Sequence, residues 1–197
     1  MRLTVTIIIL LTFFGSKGQT PTKELKIREV GWTLFIPTDA NFLNAAQFDT
    51  IRQKAVNAMN KAYGVTDEEF KQLKPLFTIR QGQFNIFGST LNPYDSSMFD
   101  NWQESYAASK LMMMDLFKQQ GPNLEVADTA SSTETIDGLT FEKFYIKTIY
   151  PQRNLTMNTY WFYRKHDNYD FSINISYTDE TVGKKFLDIV KNSKFDK

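Results

Sequence analysis

The chain has 197 residues with one histidine, no cysteine, 17 Phe, 9 Tyr and 3 Trp, enough for one domain or two small ones. At 42% hydrophobic and 23% charged it is too apolar to be disordered, and 23 basic against 22 acidic residues leave no net field for nucleic acid or an anionic membrane. The lack of cysteine excludes disulfides, thiolate metal sites and cysteine nucleophiles, and one histidine excludes any mechanism that needs two imidazoles.

The N-terminus has the form of a secretory signal. Arg2 supplies a positive start, Leu3 to Phe14 contains only apolar residues and Thr, and Ser16 and Gly18 stand in the small-residue pattern of a signal-peptidase site. The apolar run is too short for a membrane span, which needs about 20 residues. Cleavage after Gly18 removes Arg2 and Lys17 and no acid, taking the formal charge from +1 to −1. No cysteine follows the run, so no lipid anchor or other membrane anchor is expected. The mature chain is expected to be exported, periplasmic or extracellular, and its freedom from cysteine points to a bacterial envelope.

In chain order, two extended runs come first, Leu25–Ile27 and Trp32–Ile36, broken at Gly31 and ended by Pro37. A helix is predicted over Asn44 to Tyr63, where Phe48, Ile51, Ala55, Met59 and Ala62 recur at three- and four-residue steps before Gly64. Thr66 and Glu69 form a capping-box pattern that opens a short helix closed by Pro75. Leu76 to Arg80 and Gln83 to Thr90 read as a hairpin around Gln81-Gly82. After a loop over Asn92 to Asp100, Trp102 to Gln120 is a helix with a broad apolar face suited to lying flat on a sheet. The last third is a strand meander: Leu124 to Thr135, Leu139 to Tyr150 after Asp137-Gly138, Leu155 to Arg164, and Tyr169 to Tyr177. In the last of these, Tyr169, Phe171, Ile173, Ile175 and Tyr177 alternate with Asp170, Ser172, Asn174 and Ser176, a polar face that points to helix cover on one side of the sheet only. A closing helix starts at Asp179-Glu180, with Val182, Phe186, Ile189 and Val190 inward. The fold class is α+β: an antiparallel sheet with two long helices and a C-terminal helix packed on it.

This pattern resembles the PsbP-like superfamily, the α/β sandwich of photosystem PsbP proteins and Ran-binding Mog proteins, to which bacterial secreted proteins and secretion-system chaperones are also similar. Trp32-Thr33-Leu34-Phe35-Ile36-Pro37 looks like its first strand. The helix from Trp102 before an antiparallel meander looks like its middle. Tyr169 to Ile173, Phe186, Ile189 and Ser193-Lys194-Phe195 look like its last strand, helix and Ser-x-Phe finish. The resemblance implies a PsbP-like domain over 19–197 behind a signal over 1–18, and a non-enzymatic binding role.

Candidate catalytic residues are few. His166 lies in a polar hairpin tip, where an exposed turn histidine is the simpler assignment than a base with nucleophile and orienting partner. Asn92, Asp95, Ser96, Ser97 and Asp100 put oxygens in one loop, but two carboxylates and no glycine fall short of a calcium site. Asp49, Asp67, Glu68 and Glu69 sit near helix starts or on an exposed face, where they offset the helix dipole and need no further role. No phosphate loop, nucleophile elbow or zinc motif occurs, and no cofactor or metal is implied.

Two features point to binding instead. Tyr160-Trp161-Phe162-Tyr163 puts aromatics on both faces of one strand: either a central strand covered on both sides, or one whose Tyr160 and Phe162 border a groove. Met112-Met113-Met114, near Met98, Phe99 and Trp102, cannot all face one sheet, since successive helix residues turn by about 100°. Methionine suits adaptable binding surfaces. Trp102, Met113, Tyr160 and Phe162 are therefore the candidate ligand-binding residues. The first functional reading is a secreted, non-catalytic binding or accessory protein with a protein partner. The second is a carrier or chaperone for an apolar small molecule or peptide segment, and the third a carboxylate-based hydrolase, which needs two facing acids.

Overall fold

The computed structural model describes residues 21–64, 71–94, 96, 97, 99, 101–119 and 121–196. Strands β1 (Thr22–Ile27) and β2 (Trp32–Pro37) are joined by a short 3-10 turn. Helix α1 (Ala45–Tyr63) starts at a capping box, in which Asn44 and Gln47 each accept the other's backbone N–H, and ends on Gly64 at φ 69°. Then come β3 (Lys74–Gln81), β4 (Asn85–Pro93), α2 (Trp102–Lys118), β5 (Glu125–Ile136), β6 (Leu139–Tyr150), β7 (Leu155–His166), β8 (Tyr169–Tyr177), α3 (Glu180–Lys191) and β9 (Lys194–Phe195). The expected signal over 1–18 and the capping box at Thr66–Glu69 lie outside the described residues. Among the described residues no helix is long and apolar enough to cross a membrane.

Six strands form one antiparallel sheet in the order β3-β4-β8-β7-β6-β5, and β1-β2-β9 form a second. Pro75 fits because β3 is an edge strand, and a bulge follows it between Pro75 and Phe77. Asp137 and Gly138 both take positive φ, 48° and 87°, the geometry a two-residue hairpin turn needs to match strand twist. The α+β class, the antiparallel sheet, the two long helices and the C-terminal helix are all present.

The core lies between the two sheets. Trp32, Leu34 and Ile36 of β2 meet Phe77, Phe87, Phe162, Phe171, Ile173 and Ile175 of the large sheet, and Val182, Phe186 and Val190 of α3 close one end. The opposite face of the large sheet carries α1 and α2. This corrects the expectation of one-sided cover: the polar face of β8 is itself roofed, with Asp170 and Ser172 buried. Ser172 tolerates burial because its hydroxyl lies 2.8 Å from Thr90 Oγ1, and along the same face Thr159 Oγ1 lies 3.0 Å from Ser176 Oγ.

Candidate functional site

The outer face of the large sheet divides into two halves. Under α2 it is aromatic: Tyr106 stacks on Tyr163 at 5.2 Å and tilts against Trp161 at 5.6 Å, and Trp102 lies 5.7 Å from Tyr163. Beneath them sits Asp170, 6% exposed. Ser105 Oγ donates to its Oδ2 at 3.3 Å and the Tyr163 hydroxyl also hydrogen-bonds it, whereas Oδ1 and the Tyr106 hydroxyl have no partner among the described residues. Burial raises the Asp170 carboxyl above the usual aspartate value, the two hydroxyls offsetting it only in part. Burial likewise pushes the Tyr106 hydroxyl up to about 12 and the Tyr163 hydroxyl higher still.

A raised carboxyl has a signed effect on stability. The folded state holds the proton more tightly than the unfolded chain, so the contribution is full below the ordinary value of 3.8 and is lost as pH rises through the folded value. At neutral pH the buried charge is a cost. Asp170→Asn is expected to stabilise the fold at pH 7 by about 1–2 kcal/mol, with the gain vanishing as pH falls toward the ordinary aspartate range. Urea unfolding across that range measures it, and a substitution that destabilises equally at every pH would contradict it.

Under α1 the outer face is a groove. Phe48, Ile51, Arg52 and Ala55 of the helix stand over Thr78, Ile86, Gly88, Thr90 and Asn174 of β3, β4 and β8, with Leu73 at one end, around a cavity of about 390 Å³. It shares Phe48, Arg52, Leu73 and Thr78 with a neighbouring cavity of about 430 Å³ that reaches Asp49 and Lys71. The cause is local. Apart from Ile86 the floor residues are short or polar, so they leave the helix few apolar partners to press on. Of the described α1 residues only Val56 is fully buried, and Ile51 is 38% exposed. The helix is pinned instead at its far end, where the Tyr63 hydroxyl donates to Asp115 Oδ2 of α2 at 2.5 Å.

No protein-family model matches the chain, and no curated protein matches it in sequence. Among solved structures, the solution structure of cyanobacterial PsbP (CyanoP) from Synechocystis sp. PCC 6803 aligns over 94% of this chain and 99% of that one, with a TM-score of 0.51 at 10% identity. The fold is PsbP-like. A protein of unknown function from Pseudomonas aeruginosa aligns over 87% of this chain and 94% of its own at 8% identity, with a TM-score of 0.36.

Within this PsbP-like sandwich the residues singled out from sequence do not converge. Trp102 and Met113 are half-buried on α2, on the outer side. Tyr160 and Phe162 point to the inner side, where Phe162 is 1% exposed in the core and Tyr160 packs 4.9 Å from Tyr145. The sheet itself separates the pairs, because neighbouring strand residues face opposite ways. Trp161 and Tyr163, between and beside them, are the ones that meet Trp102 and Tyr106, so β7 is a central strand covered on both faces. His166 sits at the β7–β8 tip with Nε2 3.9 Å from Asp167 Oδ2. Asp95 and Asp100 of the oxygen-rich loop lie outside the described residues. Sequence reasoning passed over the groove residues Phe48, Ile51, Ala55, Gly88 and Asn174. Its available signal was a helical stripe rich in alanine opposite a strand run broken by glycine.

Proposed function

We propose that this chain is an exported, non-catalytic accessory protein of the bacterial envelope, its mature domain spanning 19–197. It works by holding an apolar small molecule or peptide segment in the groove between α1 and the large sheet. The observation that carries this reading is the apolar cavity of about 390 Å³, within the size range of small-ligand sites. It is roofed by a helix that keeps only Val56 fully buried. A filled groove gives Phe48, Ile51 and Leu73 the contacts that the short floor residues do not. The signal-like N-terminus supports export. Paired-carboxylate hydrolysis gains no support, since among the described residues Asp49 is the one acid lining the two joined cavities.

Ala55→Trp tests the site, because Ala55 lines the groove from an exposed position on α1. The neutral fluorophore N-phenyl-1-naphthylamine is expected to bind the parent protein with a blue-shifted, enhanced emission. The variant should lose roughly tenfold or more in affinity while keeping its circular dichroism. Equal binding by both proteins would overturn the assignment to this groove. Native mass spectrometry of protein from its host's envelope fraction should then show a small-mass adduct on the parent and none on the variant.

A further inference from the structure

Among the described residues, strand β5 is the outer edge of the large sheet, with β6 as its one neighbour. The two-residue turn at Asp137-Gly138 makes Ile136 and Leu139 a hydrogen-bonded pair, so Glu134, Ser132 and Ala130 also spend their backbone groups on β6. Thr129, Ser131, Thr133 and Thr135 therefore aim their N–H and C=O groups outward, and all four are exposed. Natural edges are usually blunted by lysine, proline, bulges or short length. From Thr129 to Ile136 this edge has none of them. Its one bulge, between Val126 and Asp128, lies before that stretch.

We propose that β5 pairs antiparallel with β5 of a second copy of this chain, about a two-fold axis at Ser132, so that two six-stranded sheets become one. The sequence is self-complementary in one register. Thr129 then opposes the second copy's Thr135, and Ser131 opposes its Thr133, so all four outward residues bond in symmetric pairs. Between them Ser132 meets Ser132 and Ala130 meets Glu134. Thr and Ser pairs are favourable across antiparallel strands, and no acid faces an acid. Sliding by two residues one way sets Asp128 against Glu134, and the other way runs Thr129 into the turn. Odd shifts set outward groups against inward ones.

A second observation points to the same side of the molecule. Lys110 of α2 reaches over β5 to Ser131 Oγ at 3.3 Å. Leu111, next on that flank, is 68% exposed, more than any other large apolar side chain described, and Met114 follows one turn on. A copy related by the two-fold axis brings its own α2 flank to this one, adding apolar contact to the strand pairing. This proposal is independent of the groove.

The chain lacks cysteine, so single cysteines give a clean test. Opposed residues in a non-hydrogen-bonded antiparallel pair lie about 4.5 Å apart between Cα atoms, within disulfide range. Ser132→Cys is expected to form a disulfide dimer on mild oxidation, and Thr140→Cys on β6 is not. By light scattering the parent should be dimeric, Ser132→Lys and Ser132→Glu each monomeric, and their mixture dimeric again. A parent that stays monomeric at its highest soluble concentration overturns the proposal. So does a dimer that Ser132→Cys fails to cross-link, or one that Ser132→Lys leaves intact.

Discussion

Trp32→Ala is expected to cost about 3–5 kcal/mol of folding stability, a large share of the 5–15 kcal/mol typical of a domain of about this size. Trp32 is 1% exposed and joins the two sheets. Its ring stacks on Phe195 of β9 at 5.8 Å, meets Phe171 of β8 edge-on at 5.6 Å, and lies 5.8 Å from Phe77 of β3. Its indole N–H donates to Ser193 Oγ at 2.7 Å, and that hydroxyl donates to the Val190 carbonyl at 2.7 Å, tying β2 to the end of α3. Alanine leaves a cavity between layers that cannot close without moving β9. Trp32→Phe, which keeps most of the ring and drops the indole bond, should cost about 1–2 kcal/mol. Urea unfolding followed by circular dichroism measures both. A loss below about 1 kcal/mol for Trp32→Ala would show that the small sheet adds little to the fold.

Gly183→Ala is expected to destabilise by about 2–3 kcal/mol, opposite in sign to the usual gain from replacing a glycine inside a helix. Gly183 is buried in the first turn of α3, against the ring of Tyr177. An added Cβ would stand 2.5 Å from three ring carbons, Cγ among them, so the clash is with the body of the ring and not its tip. Tyr177 is itself 5% exposed and stacks toward Tyr160 at 6.3 Å, which leaves it little room to retreat. The check is a double-mutant cycle. In a Tyr177→Ala background the same Gly183→Ala change should become neutral or mildly stabilising. A cost that persists there would place the strain in the helix backbone.

Much of the architecture was legible in single residues. Asn44 and Gly64 bound α1, Asp137-Gly138 sets the β5–β6 hairpin, and the strict alternation from Tyr169 to Tyr177 marks the inner face of β8. Such features are local: a cap, a positive φ or a period of two is decided within a few residues of chain. The candidate site was much less legible. The stripe Phe48, Ile51, Ala55, Met59 and Ala62 reads as a packing face, and α1 does present it to the sheet. What lies across from it, beside Ile86, is Thr78, Gly88, Thr90 and Asn174, from the β3–β4 hairpin and the distant β8, too short to fill the space.

The same distinction explains the four residues expected to share a groove. Alternation along β7 puts Tyr160 and Phe162 on one face and Trp161 and Tyr163 on the other, but it does not say which face α2 covers. That was decided by tertiary packing, with Trp102 and Tyr106 over Trp161 and Tyr163 and the small sheet over Phe162. The sequence by itself determined most of the elements, the antiparallel order of the meander and the α+β class, because each rests on short-range sterics and periodicity. Only the tertiary structure decided that both faces of the large sheet are roofed, that the groove opens under α1, and that β5 is left as a bare edge. Those features depend on how side-chain volumes from distant segments match across layers, and no local period carries that information.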